Sequence, residues 1–164
     1  MSRPGSSVAA VRIALGTDEE RSPVPELVAH LEGAGHEVCR VAPGRPWPEV
    51  GRAVGEAVAT GAADVGVVCC WTGTGVSIAA NKVPGVRAAL CADAATAAGA
   101  RRWNDANVLA LSLRLCSAPL AVEIADAFLA GEPDPEELPL VASLEPGPAS
   151  RDAPLREGGA SAGG

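Results

Sequence analysis

The chain is predicted to be an α/β protein built on a doubly wound, five-stranded parallel sheet, with helices on both faces in three layers. Three observations predict this. Short apolar runs alternate along the chain with longer helix-like stretches, the pattern of a parallel sheet covered on both sides. The central run, VGVVCC at residues 65–70, is apolar without alternation, as a strand buried on both faces requires. It leads directly into Thr72-Gly73-Thr74-Gly75 and a further helix-like stretch. A strand, a glycine turn and a helix N-terminus in succession form the ligand-binding crevice at the carboxyl end of Rossmann-like sheets. With right-handed crossovers the expected strand order is 2-1-3-4-5.

Taken in order, residues 1–9 are rich in Ser, Gly and Pro and are expected to be disordered. The folded domain is expected over residues 10–145. Residues 11–16, VRIALG, read as the first strand. Ser22 is a candidate N-cap and Pro23 a candidate first residue of a helix whose apolar face is Val24, Leu27, Val28 and Leu31. Residues 37–42 read as the second strand and 48–60 as the second helix. The third strand follows at 65–70, and a helix is expected over 76–82. Residues 86–91 read as the fourth strand. Asp93 can cap a short helix reaching Arg101, with Trp103 to Ala106 as a polar turn after it. Residues 107–111 read as the fifth strand and 118–130 as a longer helix. A last short helix is expected within 134–144. Residues 146–164 hold little but Gly, Ala, Ser, Pro and scattered charge, and read as a disordered tail.

Composition narrows the function classes. Aromatic residues make up only 2% of the chain, so the core must be built from Val, Leu, Ile and Ala. The net charge of −7, with no basic stripe, argues against a nucleic-acid partner. No apolar run approaches the roughly 20 residues needed to span a bilayer, and no secretory leader pattern is visible, so no membrane partner and a cytoplasmic location are expected. The five cysteines include no CxxC pair, which points to neither a zinc site nor a disulfide framework.

Chemistry concentrates at residues 64–82. Free backbone N–H groups at the glycine turn attract an anion, whether phosphate, carboxylate or a developing enolate oxygen. Cys70 ends the strand that faces this turn, and a helix N-terminus favours the thiolate that a proton-transfer base needs. The alternative is an inert buried thiol. Asp18 lies in the polar loop at the carboxyl end of the first strand, beside Cys70 in the expected order, and can bond sugar hydroxyls or simply close a turn. Glu19 beside it is a ligand or a solvated carboxylate. Trp71 and Trp103 are expected in loops at the crevice, either to stack on a sugar or to pack at a subunit interface. Arg101 can hold an anion or finish a helix C-terminus. His30 and His36 are expected at the surface, away from the crevice.

These residues resemble the ribose-5-phosphate isomerase B and galactose-6-phosphate isomerase family of sugar isomerases. The resemblance runs over about residues 11–145. It is carried by Cys70 with Thr72-Gly73-Thr74-Gly75, by Ser77-Ile78-Ala79-Ala80-Asn81-Lys82, and by Val83-Pro84-Gly85-Val86-Arg87. Leu15-Gly16-Thr17-Asp18 and Asn104-Asp105-Ala106-Asn107-Val108-Leu109 add to it. It implies an aldose–ketose isomerase, of the ribose 5-phosphate to ribulose 5-phosphate type, working through a cis-enediolate. Cys70, with Thr72, stands at the catalytic position. Gly73, Thr74, Gly75, Val76 and Ser77 stand where the family holds the enediolate oxygen. Asp18, Glu19, Trp71, Trp103, Asn104, Arg101 and Arg114 are the candidate substrate-binding residues. No metal or other cofactor is implied. Another branch of the family places a glutamate where this chain has Val76.

The chain also departs from the family pattern. Glu19 replaces a usual histidine, Trp71 a usual glycine, and Trp103 the histidine credited with ring opening. The late arginine pair that commonly grips phosphate is absent from AGEPDPEELPL, residues 130–140. A related isomerase or epimerase on an unphosphorylated or unusual sugar is therefore an alternative, as is a non-catalytic partner subunit with the same fold. The resemblance further implies a homodimer or homotetramer with the pocket at the subunit interface. The helix over 118–130 carries an apolar face with nothing later in the chain to cover it, which points the same way.

Overall fold

Five strands grow from the five apolar runs. In the computed structural model, which describes residues 9–145, β1 spans Arg12–Thr17, β2 Glu37–Arg40, β3 Val65–Cys70, β4 Ala88–Leu90 and β5 Val108–Ser112. Six helices follow or connect them: α1 Val24–Gly33, α2 Trp47–Ala59, α3 Thr74–Asn81, α4 Ala94–Asn104, α5 Ala118–Ala130 and α6 Leu138–Ala142. The disorder expected for residues 1–9 and 146–164 falls, apart from Ala9, outside the described residues. All four strand pairings are parallel.

The sheet order is β2-β1-β3-β5-β4, which corrects the expected 2-1-3-4-5 at one edge. Burial explains the exchange. β5, VLALS, is buried along its whole length and belongs inside a sheet covered on both faces. β4 has three residues, none of them fully buried, and suits an edge, where short strands offer little unpaired backbone to other chains.

Strand alternation sends side chains into two cores. Ile13, Leu15, Val67, Cys69, Leu109 and Leu111 face one side, where Leu27 and Leu31 of α1, Ala97 of α4 and Ile124 and Phe128 of α5 cover them. Ala14, Val68, Cys70 and Ala110 face the other, under Val50 and Val54 of α2 and Val76 and Ala80 of α3. Gly51 lets α2 and α3 close up: a Cβ there would stand 2.6 Å from the Ala79 Cβ and 2.7 Å from the Val76 carbonyl oxygen. That contact fixes α3, and with it the glycine turn, against the sheet.

Local differences have local causes. Helix α1 starts one residue late, with Pro23 at the N-cap position and no cap bond from Ser22. Helix α3 begins at Thr74, two residues early, because the turn itself winds into the helix. Helix α4 runs on to Asn104, so Trp103 and Asn104 are helical rather than in a turn. Asp105, at φ 45°, ends it in the left-handed region that Asp tolerates. Asp93 caps α4 as expected, accepting from the Thr96 N–H at 2.7 Å. His36 is buried rather than at the surface, its Nδ1 accepting from the Val11 N–H at 3.3 Å. The apolar face of α5 is covered by its own chain: Ala121, Ile124, Ala125 and Phe128 are buried, with Leu120 and Leu129 packed on the same core.

Candidate active site

Three adjacent strands end together. Thr17 of β1 pairs with Cys69 of β3, and Cys70 pairs with Ser112 of β5. The loops that leave these ends carry Asp18, the glycine turn and Arg114. The first and third strands are neighbours, as the expected crevice requires, and the exchange of β4 and β5 leaves that adjacency untouched.

Cys70 and Cys69 diverge. Cys70 is 5% exposed and lies on the α2/α3 face. Cys69 is fully buried on the opposite face, where loss of hydration pushes its thiol up to about 12. Burial likewise pushes Cys91 up to about 11 and raises Cys116. All five cysteines are free thiols.

The turn after Cys70 depends on glycine. Gly73 has φ +76° and caps α3, its N–H donating to the Cys70 carbonyl at 3.2 Å. A Cβ there would stand 2.9 Å from the Leu111 backbone and 2.5 Å from Leu90. The first hydrogen bond to enter α3 runs from the Ser77 N–H to the Gly73 carbonyl at 3.2 Å. The N–H groups of Thr74, Gly75 and Val76 precede it and have no acceptor within the helix. Val76 offers only this N–H, since its side chain is fully buried in the core. The Thr72 and Thr74 hydroxyls bond each other at 2.7 Å on the exposed side of the turn.

Asp18 follows β1 directly, in the loop beside the end of β3. Its Oδ1 is buried with no hydrogen-bond partner among the described residues. Burial holds its carboxyl above the usual carboxylate range, its own backbone N–H opposes this, and the Glu19 charge adds to the rise. An orphan acceptor of this kind calls for a donor. The loop beyond is pinned by the Thr17 hydroxyl, which donates to the Glu19 carbonyl at 2.9 Å. Glu19 is exposed and pairs with Arg21 at 3.4 Å.

Trp71 stands exposed at the mouth, with the Arg21 guanidinium 5.1 Å from its ring centroid. The Trp71 carbonyl accepts from the Ser112 hydroxyl at 2.9 Å and from the Arg114 N–H at 3.0 Å. Arg114 is exposed and makes no ion pair among the described residues. Two neighbours escaped the sequence reading, Arg21 and Trp47. The Trp47 ring lies against Gly75, 2.9 Å from where a Cβ would be. Arg21 sits in the loop between β1 and α1 and Trp47 opens α2; a doubly wound sheet gathers its strand-to-helix connections at one end, and that topological signal was available in the sequence.

Three candidates lie elsewhere, which corrects their expected placement. Helix α4 leads from the carboxyl end of β4 to the amino end of β5, so its last turn sits at the far end of the sheet from Cys70. Trp103 packs over Gly99 there and is half exposed. Arg101 is taken up by the backbone, donating to the carbonyls of Ala106 at 2.6 Å and Gly131 at 3.2 Å. Asn104 lines a separate concavity of about 550 Å³ with Lys82, Arg87 and Glu145. Within one chain, none of the three reaches the crevice. Among the described residues, no three His, Cys, Asp or Glu side chains gather closely enough to hold a metal ion. No helix among them is long and apolar enough to cross a membrane.

Residues 13–138 match the model of a family described as Ribose/Galactose Isomerase. Ribose-5-phosphate isomerase B of Escherichia coli is 40% identical over 111 residues, covering 65% of this chain and 74% of that protein. A galactose-6-phosphate isomerase subunit LacB of Clostridium acetobutylicum is 47% identical over 83 residues, or 51% of this chain; the match spans about half of that relative, 48%. Among solved structures, ribose-5-phosphate isomerase B of Clostridium thermocellum superposes with a TM-score of 0.77 at 37% identity, covering 81% of this chain and 94% of that one. The enzyme of the same name from Thermotoga maritima gives a TM-score of 0.78 at 33% identity, covering 82% and 97%.

Proposed function

The chain belongs to the ribose/galactose isomerase family, and from that membership we propose that it interconverts an aldose phosphate and a ketose phosphate, with Cys70 as the base. Its named relatives include isomerases of ribose 5-phosphate and of galactose 6-phosphate. The observation that carries the reading is one juxtaposition. Cys70 ends β3 directly before a turn with three N–H groups free of the helix, and the orphan Asp18 oxygen belongs to the loop that leaves the neighbouring strand β1.

The chemistry follows from that arrangement. The Cys70 thiolate takes a proton from the carbon next to the substrate carbonyl. Electrons move onto the carbonyl oxygen, giving a cis-enediolate. The N–H groups of Thr74, Gly75 and Val76 stabilise that oxygen as its charge grows, and they are already oriented before reaction. The thiol then returns the proton to the adjacent carbon while the hydroxyl proton on the second oxygen passes to the first, so the second oxygen becomes the new carbonyl and no net oxidation occurs. Asp18 Oδ1 accepts from a sugar hydroxyl, which fixes the sugar against the turn. Cys69 is unsuited to this step: it faces the other core, and burial keeps its thiol protonated near neutral pH.

Exchange of the substrate's carbon-bound proton with deuterated water tests the reading. Cys70→Ser should slow exchange by at least about a hundredfold, the lower range for removal of a general base, while ribose 5-phosphate still binds. Cys69→Ser should retain exchange. Full exchange in Cys70→Ser would remove the thiol from the mechanism. A second reading, an unphosphorylated sugar as substrate, is favoured by one observation: residues 115–145 contain no Lys or Arg. Exchange on D-ribose faster than on ribose 5-phosphate would decide for it.

A further inference from the structure

We propose that Arg21, laid across the Trp71 indole, is the residue that grips the phosphate of the substrate. The inference rests on the reading of the crevice as a sugar-phosphate site and names the group that reads the phosphate there.

A count of cations at the carboxyl end of the sheet leads to Arg21. Four arginines leave strand ends or loops on that side: Arg21, Arg40, Arg45 and Arg114. Arg40 is held by Glu20, and Arg45 is held by Glu49 at 2.6 Å, four residues along the same segment. Arg12, Arg87, Arg101 and Arg102 are engaged with acidic or carbonyl groups away from the crevice. Of the four at the carboxyl end, Arg21 and Arg114 remain. Arg114 is tied through its backbone to Trp71 but makes no ion pair among the described residues that would hold its guanidinium in one place.

Arg21 is positioned. Its guanidinium rests 5.1 Å from the Trp71 ring centroid, a cation–π distance that favours this position for its donors. Its backbone is pinned as well: the Arg21 N–H donates to Glu19 at 3.1 Å, and the Arg21 carbonyl accepts from Val24 at 2.9 Å. Its only ionic partner among the described residues is Glu19, at 3.4 Å, with both side chains about half exposed. A contact that long and that solvated holds weakly. A phosphate dianion offers two oxygens to the guanidinium fork and displaces the single carboxylate contact. Trp71, which immediately follows Cys70, therefore acts as the shelf that keeps this fork beside the reaction centre. Glu19 acts against the ligand, as a competitor for Arg21 and as a like charge.

Titration calorimetry on the full chain, with ribose 5-phosphate and with inorganic phosphate, tests this. Arg21→Ala should raise Kd for both ligands by about tenfold or more, the scale of a lost charge-assisted pair. Arg21→Lys should recover part of the loss, since it restores charge without the fork. Trp71→Leu should weaken both ligands although it removes no charge, an effect a bland surface arginine would not produce. Glu19→Gln should tighten both. Arg21→Ala with Kd within twofold of wild type would overturn the proposal, as would loss of binding confined to Arg114→Ala. If wild type binds ribose 5-phosphate and exchanges its proton while Arg21→Ala behaves alike, only this inference falls. If wild type binds neither ligand, the sugar-phosphate reading falls with it.

Discussion

At the scale of single residues, the same carboxylate that suits a substrate is a cost to the empty fold. Asp18 Oδ1 is buried without a partner among the described residues, and burial raises its carboxyl above the ordinary 3.8. A raised folded value means the proton is held more tightly in the folded state than in the unfolded chain. Relative to a neutral group, Asp18 therefore does no harm below about pH 4 and destabilises increasingly as pH rises through its folded value. Asp18→Asn removes the desolvated charge. It should raise the Tm of the ligand-free protein modestly at pH 7. It should also weaken ribose 5-phosphate binding. Thermal melts at pH 7 and pH 3.5 check this, because the gain should shrink at the lower pH. Period-2 geometry puts Cys69 and Cys70 on opposite faces of β3 whatever their neighbours, so that much is legible in the sequence. The sequence did not show Arg21 on Trp71 or Trp47 on Gly75, because those contacts depend on where long side chains turn after leaving their loops.

At the scale of elements, the glycine turn is the part with the least freedom to vary. Gly73 combines φ +76° with the Leu111 backbone 2.9 Å from any Cβ, so Gly73→Ala is strained in conformation and in contact together. It should cost about 1–3 kcal/mol, and a Tm unchanged within a degree would show that the turn can relax. Gly75 fails differently. A methyl group there meets the Trp47 ring at 2.9 Å, so Gly75→Ala should displace Trp47 and slow proton exchange by crowding the N–H groups of the turn. A shift in tryptophan emission that is lost in the Trp47→Phe background would locate the movement at that ring. Strand and helix positions were legible because apolar runs and caps are local signals: β3 at 65–70 and α5 at 118–130 fall where the sequence places them. The order of β4 and β5 was not legible. Both runs are apolar, and which one is covered on both faces is settled by packing against α3 and α5, not by either run itself.

At the scale of the whole molecule, one chain leaves two sets of candidate residues at opposite ends of its sheet. Cys70, the turn and Asp18 lie at the carboxyl end, while Trp103 and Asn104 close α4 at the amino end. A site that used both would need a second copy to present its α4 end to the crevice. The α5 face gives no reason for assembly, since the chain covers it. Other apolar side chains do: Trp103 is 55% exposed, Leu115 61%, Leu140 67% and Leu144 66%. That is a large amount of exposed indole and leucine for a chain with 2% aromatics. The protein is expected to form a homodimer or homotetramer in solution, built on a two-fold contact in which each copy supplies the same surface. Sedimentation at micromolar concentration should give a multiple of the chain mass, and a monomer would reject the assembly. A mixing experiment tests the sharing of sites more sharply. Cys70→Ser lacks the base at one end, and a Trp103→Ala, Asn104→Ala double variant lacks the residues at the other. If sites are shared, mixed dimers hold one site with both defects and one with neither. Random mixing of two inactive preparations should then restore about a quarter of the wild-type activity, with dimer symmetry setting the fraction. If each chain works alone, mixing restores nothing beyond the sum of the two. That outcome would return Trp103 and Asn104 to a purely structural place at the end of α4.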